Sequence, residues 1–278
     1  MSPAPHVLLL PGWLNSGPLH WQSLWQATHG YTRVEQHDWQ RPLRGDWCAR
    51  LEEVVANHVA HCAATDRTEA AAIALTAPSP SPSPSPSPPP SPSPSPSPSN
   101  SLLKSELLEQ VLPGLQPDLS LKNSPSIVLV AHSLGCHLVA AWAAVSRHTS
   151  AVRGALLVAP PDVTQANLPP DLHGWRTPIL SPLPFPAICV MSGNDPFASL
   201  AASRALATAW GARCIHAGPV GHLNSDSGLG DWPAGHALVA ELAAMPHKAA
   251  DTTQDCAKHS AEDKLADHPT SGLQRHPT

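Results

Sequence analysis

The sequence predicts an α/β protein: a mostly parallel sheet of six strands, flanked by helices on both faces. Two observations carry that expectation. Short apolar runs alternate with stretches of helical periodicity along most of the chain. One run, Ile127-Val-Leu-Val-Ala131, is apolar throughout, as suits a parallel strand buried on both faces. A chain that alternates in this way closes its core as one parallel sheet covered by helices.

The elements follow in order. Val7–Leu10 reads as the first strand, Pro18–Thr28 as a helix, and Thr32–Gln36 as a weaker strand. Asp46 is placed to cap the next helix, whose Trp47, Leu51, Val54, Val55, His58 and Cys62 share one face. After Ile127–Ala131 come a helix from Leu134 to about Arg147 and strands at Gly154–Ala159 and Ala187–Ser192. A helix at Ser199–Trp210, a strand at Arg213–Ala217 and a helix at Trp232–Ala244 complete the set. The proline-rich connection 160–186 is too short for a large helical cap.

Composition separates this core from two foreign segments. Of 34 prolines among 278 residues, 12 fall in Pro78–Ser99, which holds only proline and serine. That tract favours polyproline II and has nothing with which to build a core. The expected organisation is therefore one domain over 1–245, interrupted by an insertion at 65–124, with a disordered polar tail at 246–278. The tract is a candidate ligand for proline-recognising domains of SH3 or WW type, with an inert spacer as the simpler expectation.

Net charge is −5, so no basic face is available to displace counterions from nucleic acid. No apolar run approaches the length of a membrane span, and the start lacks the basic, then apolar, pattern of a secretory signal. Six cysteines form no CxxC pair; a reducing, cytoplasmic compartment is the default expectation. His58-Val-Ala-His61-Cys62 is a candidate ligand cluster, but the chain offers no second cluster of matching spacing. Neither a metal nor an organic cofactor is expected.

The chemistry concentrates at Ala131-His-Ser133-Leu-Gly135, between the buried strand and the helix that follows. A strand–serine–helix turn of this kind tolerates only small residues two before and two after the serine. Ala131 and Gly135 satisfy that need, although the usual first glycine is an alanine. The turn raises the Ser133 hydroxyl above the sheet and leaves helix N–H groups, that of Leu134 among them, free to face an oxyanion. A serine nucleophile needs a base and an orienting acid. Asp195 and His222 each follow a later strand, in the order Ser…Asp…His. Asp162, after the Gly154–Ala159 strand, is the rival acid. The loop Leu10-Pro-Gly-Trp13 places the Trp13 N–H, with Leu14 beside it, as the second oxyanion donor. Trp13 and Trp175 are candidates to line an acyl pocket. Trp13, Ser133, Asp195 and His222 all follow strands, so one sheet edge collects them. The insertion follows a helix and belongs at the opposite edge.

The chain resembles the small serine hydrolases of the retinoblastoma-binding-protein-nine (YdeN) type, within the α/β-hydrolase superfamily. The resemblance rests on Leu10-Pro-Gly…Ser16-Gly-Pro…His20-Trp21, Val130-Ala-His-Ser-Leu-Gly-Cys136, Leu157-Val-Ala-Pro-Pro-Asp162 and Ser192-Gly-Asn-Asp-Pro196. It continues in Ala209-Trp-Gly-Ala212 and Gly221-His-Leu-Asn…Ser227-Gly-Leu-Gly-Asp-Trp-Pro233. It spans about 5–64 and 125–245 and implies a triad of Ser133, Asp195 and His222, but does not settle a substrate. The elbow with its downstream acid and base is read as a serine hydrolase acting on a small ester, thioester or amide. A non-catalytic interaction module on the same fold is the alternative.

Overall fold

The computed structural model describes residues 4–76 and 126–245. The Pro/Ser tract, the helical-looking stretch 102–112 and the tail lie outside the described residues.

Six parallel strands form one sheet: β1 (His6–Leu10), β2 (Thr32–Arg33), β3 (Ile127–His132), β4 (Val152–Val158), β5 (Ala187–Met191) and β6 (Arg213–His216). Their spatial order is β2-β1-β3-β4-β5-β6, every neighbouring pair parallel. Among the described residues five α-helices connect or follow them: α1 (Trp21–His29), α2 (Arg44–Thr76), α3 (Leu134–Ala143), α4 (Leu200–Ala209) and α5 (Pro233–Ala244).

Alternation along the strands sends side chains to opposite faces, and each face has its own apolar layer. Leu8, Leu10, Leu129, Ala131, Leu157 and Cys189 pack with residues of α2, α3 and α4. Val7, Leu9, Val128, Val130, Leu156 and Val190 pack with Trp21 and Trp25 of α1 and with Val239 and Leu242 of α5. Residues 127–131 are fully buried on both faces. That is why the run lacks the polar alternation of a half-exposed strand.

Helix boundaries follow local chemistry. The His20 ring caps α1, its Nδ1 accepting the Gln22 N–H at 3.1 Å, and Gly30 ends the helix in the left-handed region at φ 68°. Ser199 caps α4 by accepting the Ala202 N–H. Helix α2 begins at Arg44, ahead of Asp46, and runs on to Thr76. The insertion expected from residue 65 thus starts inside a helix. The cause is the Ala- and Glu-containing run after Cys62, which has high helical propensity. Glu52 ties α2 to α3 and to the turn after it. Its carboxylate accepts from Trp142 Nε1 at 2.7 Å, Ser146 Oγ at 2.6 Å and His148 Nδ1 at 2.7 Å.

The connection between β4 and β5 holds one short 3-10 helix, Pro170–Trp175, and no α-helix. The carboxyl edge of the sheet is covered there by a loop rather than by a helical cap.

Candidate active site

Strand β3 delivers Ser133 into a backbone conformation that few non-glycine residues adopt, φ 54° and ψ −125°. Such a conformation costs on the order of 1–3 kcal/mol and persists only where its surroundings enforce it. Here the Ser133 N–H donates to Val158 O of β4, and α3 begins at the next residue. Gly135 is required because a Cβ there would collide with the Leu10 carbonyl at the end of β1. Gly12 is required for the converse reason. A Cβ on it would lie 2.7 Å from Ser133 Cβ and 3.1 Å from Ser133 Oγ. The loop after β1 therefore presses on the serine from one side.

From the other side comes His222, whose Nε2 stands 2.9 Å from Ser133 Oγ. Its Nδ1 lies 2.9 and 3.0 Å from the two carboxylate oxygens of Asp195. The Asp195 side chain is almost wholly buried and also accepts the Phe197 N–H at 2.9 Å. A carboxylate only accepts, so the bond fixes the proton on Nδ1 and leaves Nε2 of a neutral ring to accept from the serine hydroxyl. The two loops are tied together: Gly221 N–H donates to Asn194 Oδ1 at 2.7 Å, and Val220 N–H to Ser192 Oγ at 3.0 Å. The rival acid, Asp162, is occupied elsewhere. Its Oδ1 accepts the N–H and hydroxyl of Thr164, closing a local turn.

Two further histidines surround the site; both stand in the quoted motifs, but the residue patterns gave neither a role. His132 donates from Nε2 to the His222 carbonyl at 2.9 Å and packs its ring 4.9 Å from that of His222. Burial, reinforced by His20 and His222, pushes its pKa well below the ordinary histidine range. His20 stands edge-on to His132, 4.7 Å away. Burial first, then Arg33 and His222, lowers its pKa to about 3. Both rings are neutral, so neither places a fixed positive charge beside the base. The position of His132 immediately before the serine was the available clue.

A cavity of about 530 Å³ opens at Ser133 and His222, lined by Trp13, Leu168, Leu172 and Phe197 among others. Among the described residues no lysine or arginine lines it, and Asp162 is its sole carboxylate. Trp13 and Leu134 both border the cavity. The Leu14 N–H is committed to the Trp39 carbonyl at 3.1 Å, which leaves Trp13 as the donor to consider in that loop. Arg33 holds the same loop in place, its Nη1 donating to Asn15 Oδ1 at 2.6 Å and to Ser16 O at 3.0 Å.

Trp175 does not belong here. It is buried, donates from Nε1 to the Pro42 carbonyl at 2.6 Å, and stacks edge-on against Trp47. Its loop does reach the cavity, but through Leu172, while the indole turns inward to the core because burying so large an apolar surface outweighs exposure at the mouth. Among the described residues no group of three His, Cys, Asp or Glu could hold a metal ion. His58 instead stacks on His6 and stands 3.6 Å from Cys62 Sγ. No helix of the described residues is long and apolar enough to cross a membrane.

The family model described as serine hydrolase matches residues 7–77 and 107–241. The chain belongs to the serine hydrolase family. Its match breaks only across the Pro/Ser tract and its flank, and it includes the elements that carry Ser133, Asp195 and His222. The fold of this serine hydrolase is shared with a YdeN-like hydrolase from Pectobacterium atrosepticum. That likeness has TM-score 0.52 at 20% identity and covers 86% of this chain and 91% of the other. It is shared also with the ydeN gene product of B. subtilis, at TM-score 0.51 and 14% identity, over 86% of this chain and 98% of that one. No curated protein matches the sequence. The protein has the α/β-hydrolase fold of these YdeN-like structures and, by its family, is a hydrolytic enzyme.

Proposed function

We propose that this serine hydrolase cleaves small, uncharged esters, thioesters or amides through an acyl-enzyme on Ser133. One observation carries the reading: the unbroken series Ser133 Oγ, His222 Nε2, His222 Nδ1 and Asp195, each contact about 3 Å, set at a strained strand–helix turn. In this reaction His222 takes the hydroxyl proton as Ser133 Oγ attacks the substrate carbonyl. Asp195 holds the ring and balances the imidazolium. The oxygen of the tetrahedral intermediate is met by the backbone N–H groups of Trp13 and Leu134. Collapse breaks the bond to the leaving group, which departs with the proton from His222. A water then gives its proton to His222, attacks the acyl carbon and releases the acid, and His222 returns the proton to Ser133. The balance is one ester and one water consumed, one acid and one alcohol formed.

The cavity supports the substrate class. Its lining is largely apolar and includes no lysine or arginine among the described residues, so a carboxylate-bearing acyl group would find no cation there to pair with. The alternative, a non-catalytic interaction module, offers no reason to hold a serine at positive φ against a buried His–Asp pair.

Hydrolysis of p-nitrophenyl acetate tests the assignment. Ser133→Ala abolishes turnover above background. Asp195→Asn lowers kcat by about 10⁴-fold, because the amide favours the wrong tautomer of the base, whereas Asp162→Asn stays within tenfold of the parent. Equal losses from the two Asn variants would return Asp162 to contention.

A further inference from the structure

Phe197 is half-exposed although it is one of only two phenylalanines in the chain. Its ring lines the cavity with Ser133 and sits edge-on to the His222 ring, centroids 4.6 Å apart. The backbone beneath it is rigid. Its N–H donates to Asp195 Oδ1 at 2.9 Å, and its carbonyl accepts from Asp162 N at 2.9 Å and Gln165 Nε2 at 2.8 Å. The loop that aims the acid at the base therefore also fixes the ring beside the base. Folding energy does not ask for this, since an exposed ring gains little from burial.

Reaction chemistry divides the cavity around that ring. His222 Nε2 must pass its proton to the departing heteroatom, so that atom comes within about 3 Å of Nε2. Whatever substituent it bears then emerges next to Phe197. The acyl group hangs from the other side of the carbonyl carbon and falls to the remaining apolar lining, Val163, Leu168 and Leu172 among it. We propose that Phe197 forms the leaving-group subsite and selects ring-bearing apolar alcohols over small ones. This rests on the acyl-transfer reading of Ser133 and His222. The affinity it supplies is that of one partly exposed ring–ring contact, worth about tenfold at most.

The experiment compares kcat/KM for benzyl acetate and methyl acetate, which share an acyl group, in the parent, Phe197→Ala and Phe197→Trp. The parent prefers the benzyl ester. In Phe197→Ala that preference falls by about three- to tenfold, chiefly through KM, and Phe197→Trp retains it. A ring that merely shields the Asp195–His222 pair from water would, on removal, lower both esters alike and shift the pH profile; that result overturns the subsite. So does a parent with no preference, or one whose Ser133 reacts with a fluorophosphonate while neither ester turns over. Failure of Ser133 to react with the fluorophosphonate overturns the acyl-transfer reading itself.

Discussion

Replacing Gly12 by alanine probes a tightly constrained contact of the site while leaving every proposed reacting group in the sequence. The new methyl would stand 2.7 Å from Ser133 Cβ, about 0.7 Å short of the 3.4 Å at which ordinary contact begins. Neither neighbour can yield cheaply. The Ser133 backbone is pinned by Val158 O and by the start of α3, and the neighbouring Leu14 by its bond to Trp39 O. Half of the displacement taken by each side moves Ser133 Oγ off its 2.9 Å contact with His222 and draws the Trp13 N–H away from the carbonyl. A misplacement of about 1 Å costs on the order of 10²-fold in rate, so a relief of about 0.7 Å shared between the two sides is expected to lower kcat by about 5- to 25-fold, or about 1–2 kcal/mol. KM changes little, since the apolar lining is untouched. The assay is steady-state hydrolysis of p-nitrophenyl acetate alongside a thermal melt, in which the variant unfolds cooperatively within several degrees of the parent. A folded Gly12→Ala enzyme with kcat within threefold of the parent would refute the claim that the loop after β1 bears on the serine.

Three further outcomes follow from other contacts. His222→Ala lowers the acylation rate by about 10³-fold or more, measured by stopped-flow with an activated ester; unchanged acylation would remove His222 from the reaction. Glu52→Ala strands the buried Trp142 Nε1–H and lowers stability by about 2–3 kcal/mol in urea. In a Trp142→Phe background the same change costs clearly less, and an equal cost in both would deny the coupling. Burial, only partly offset by the Pro161 carbonyl and Asp162, lowers the pKa of His137 to about 4. The folded chain keeps this ring neutral, while the unfolded chain protonates it near 6.5. Below about pH 6.5 the unfolded state therefore binds the additional proton, and stability falls as the pH falls towards 4. His137 alone contributes a loss of about 2 kcal/mol between pH 7 and pH 5, so the urea midpoint of His137→Gln is expected to depend less steeply on pH than that of the parent. Parallel pH profiles would contradict the assignment.

Much of the architecture was legible because its signals are local and mutually consistent. The buried run 127–131, the small residues flanking Ser133 and the positions of Asp195 and His222 after strands all reflect the same sheet. A parallel sheet sends every post-strand loop to one edge, and Ser133, Asp195 and His222 meet there at contacts near 3 Å. What was not legible depends on which way a side chain turns within a loop. Trp175 and Leu172 share a 3-10 helix, yet the indole points into the core and the leucine into the cavity. His20 and His132 were given no role from the sequence. Their meeting depends on the N-cap of α1 lying beside the end of β3, a long-range juxtaposition with no periodic trace. The extent of α2 was missed for a different reason. Composition marks where a core stops, but a helix continues as long as propensity allows.

The central claim is that Ser133 is the nucleophile, and the most direct measurement is reaction of the full chain with a fluorophosphonate, followed by peptide mass analysis. One equivalent of phosphonate on Ser133, absent from Ser133→Ala and formed far more slowly in His222→Ala, is the expected result. A folded protein that stays unmodified at Ser133, or that takes up label equally well in Ser133→Ala, would contradict the account.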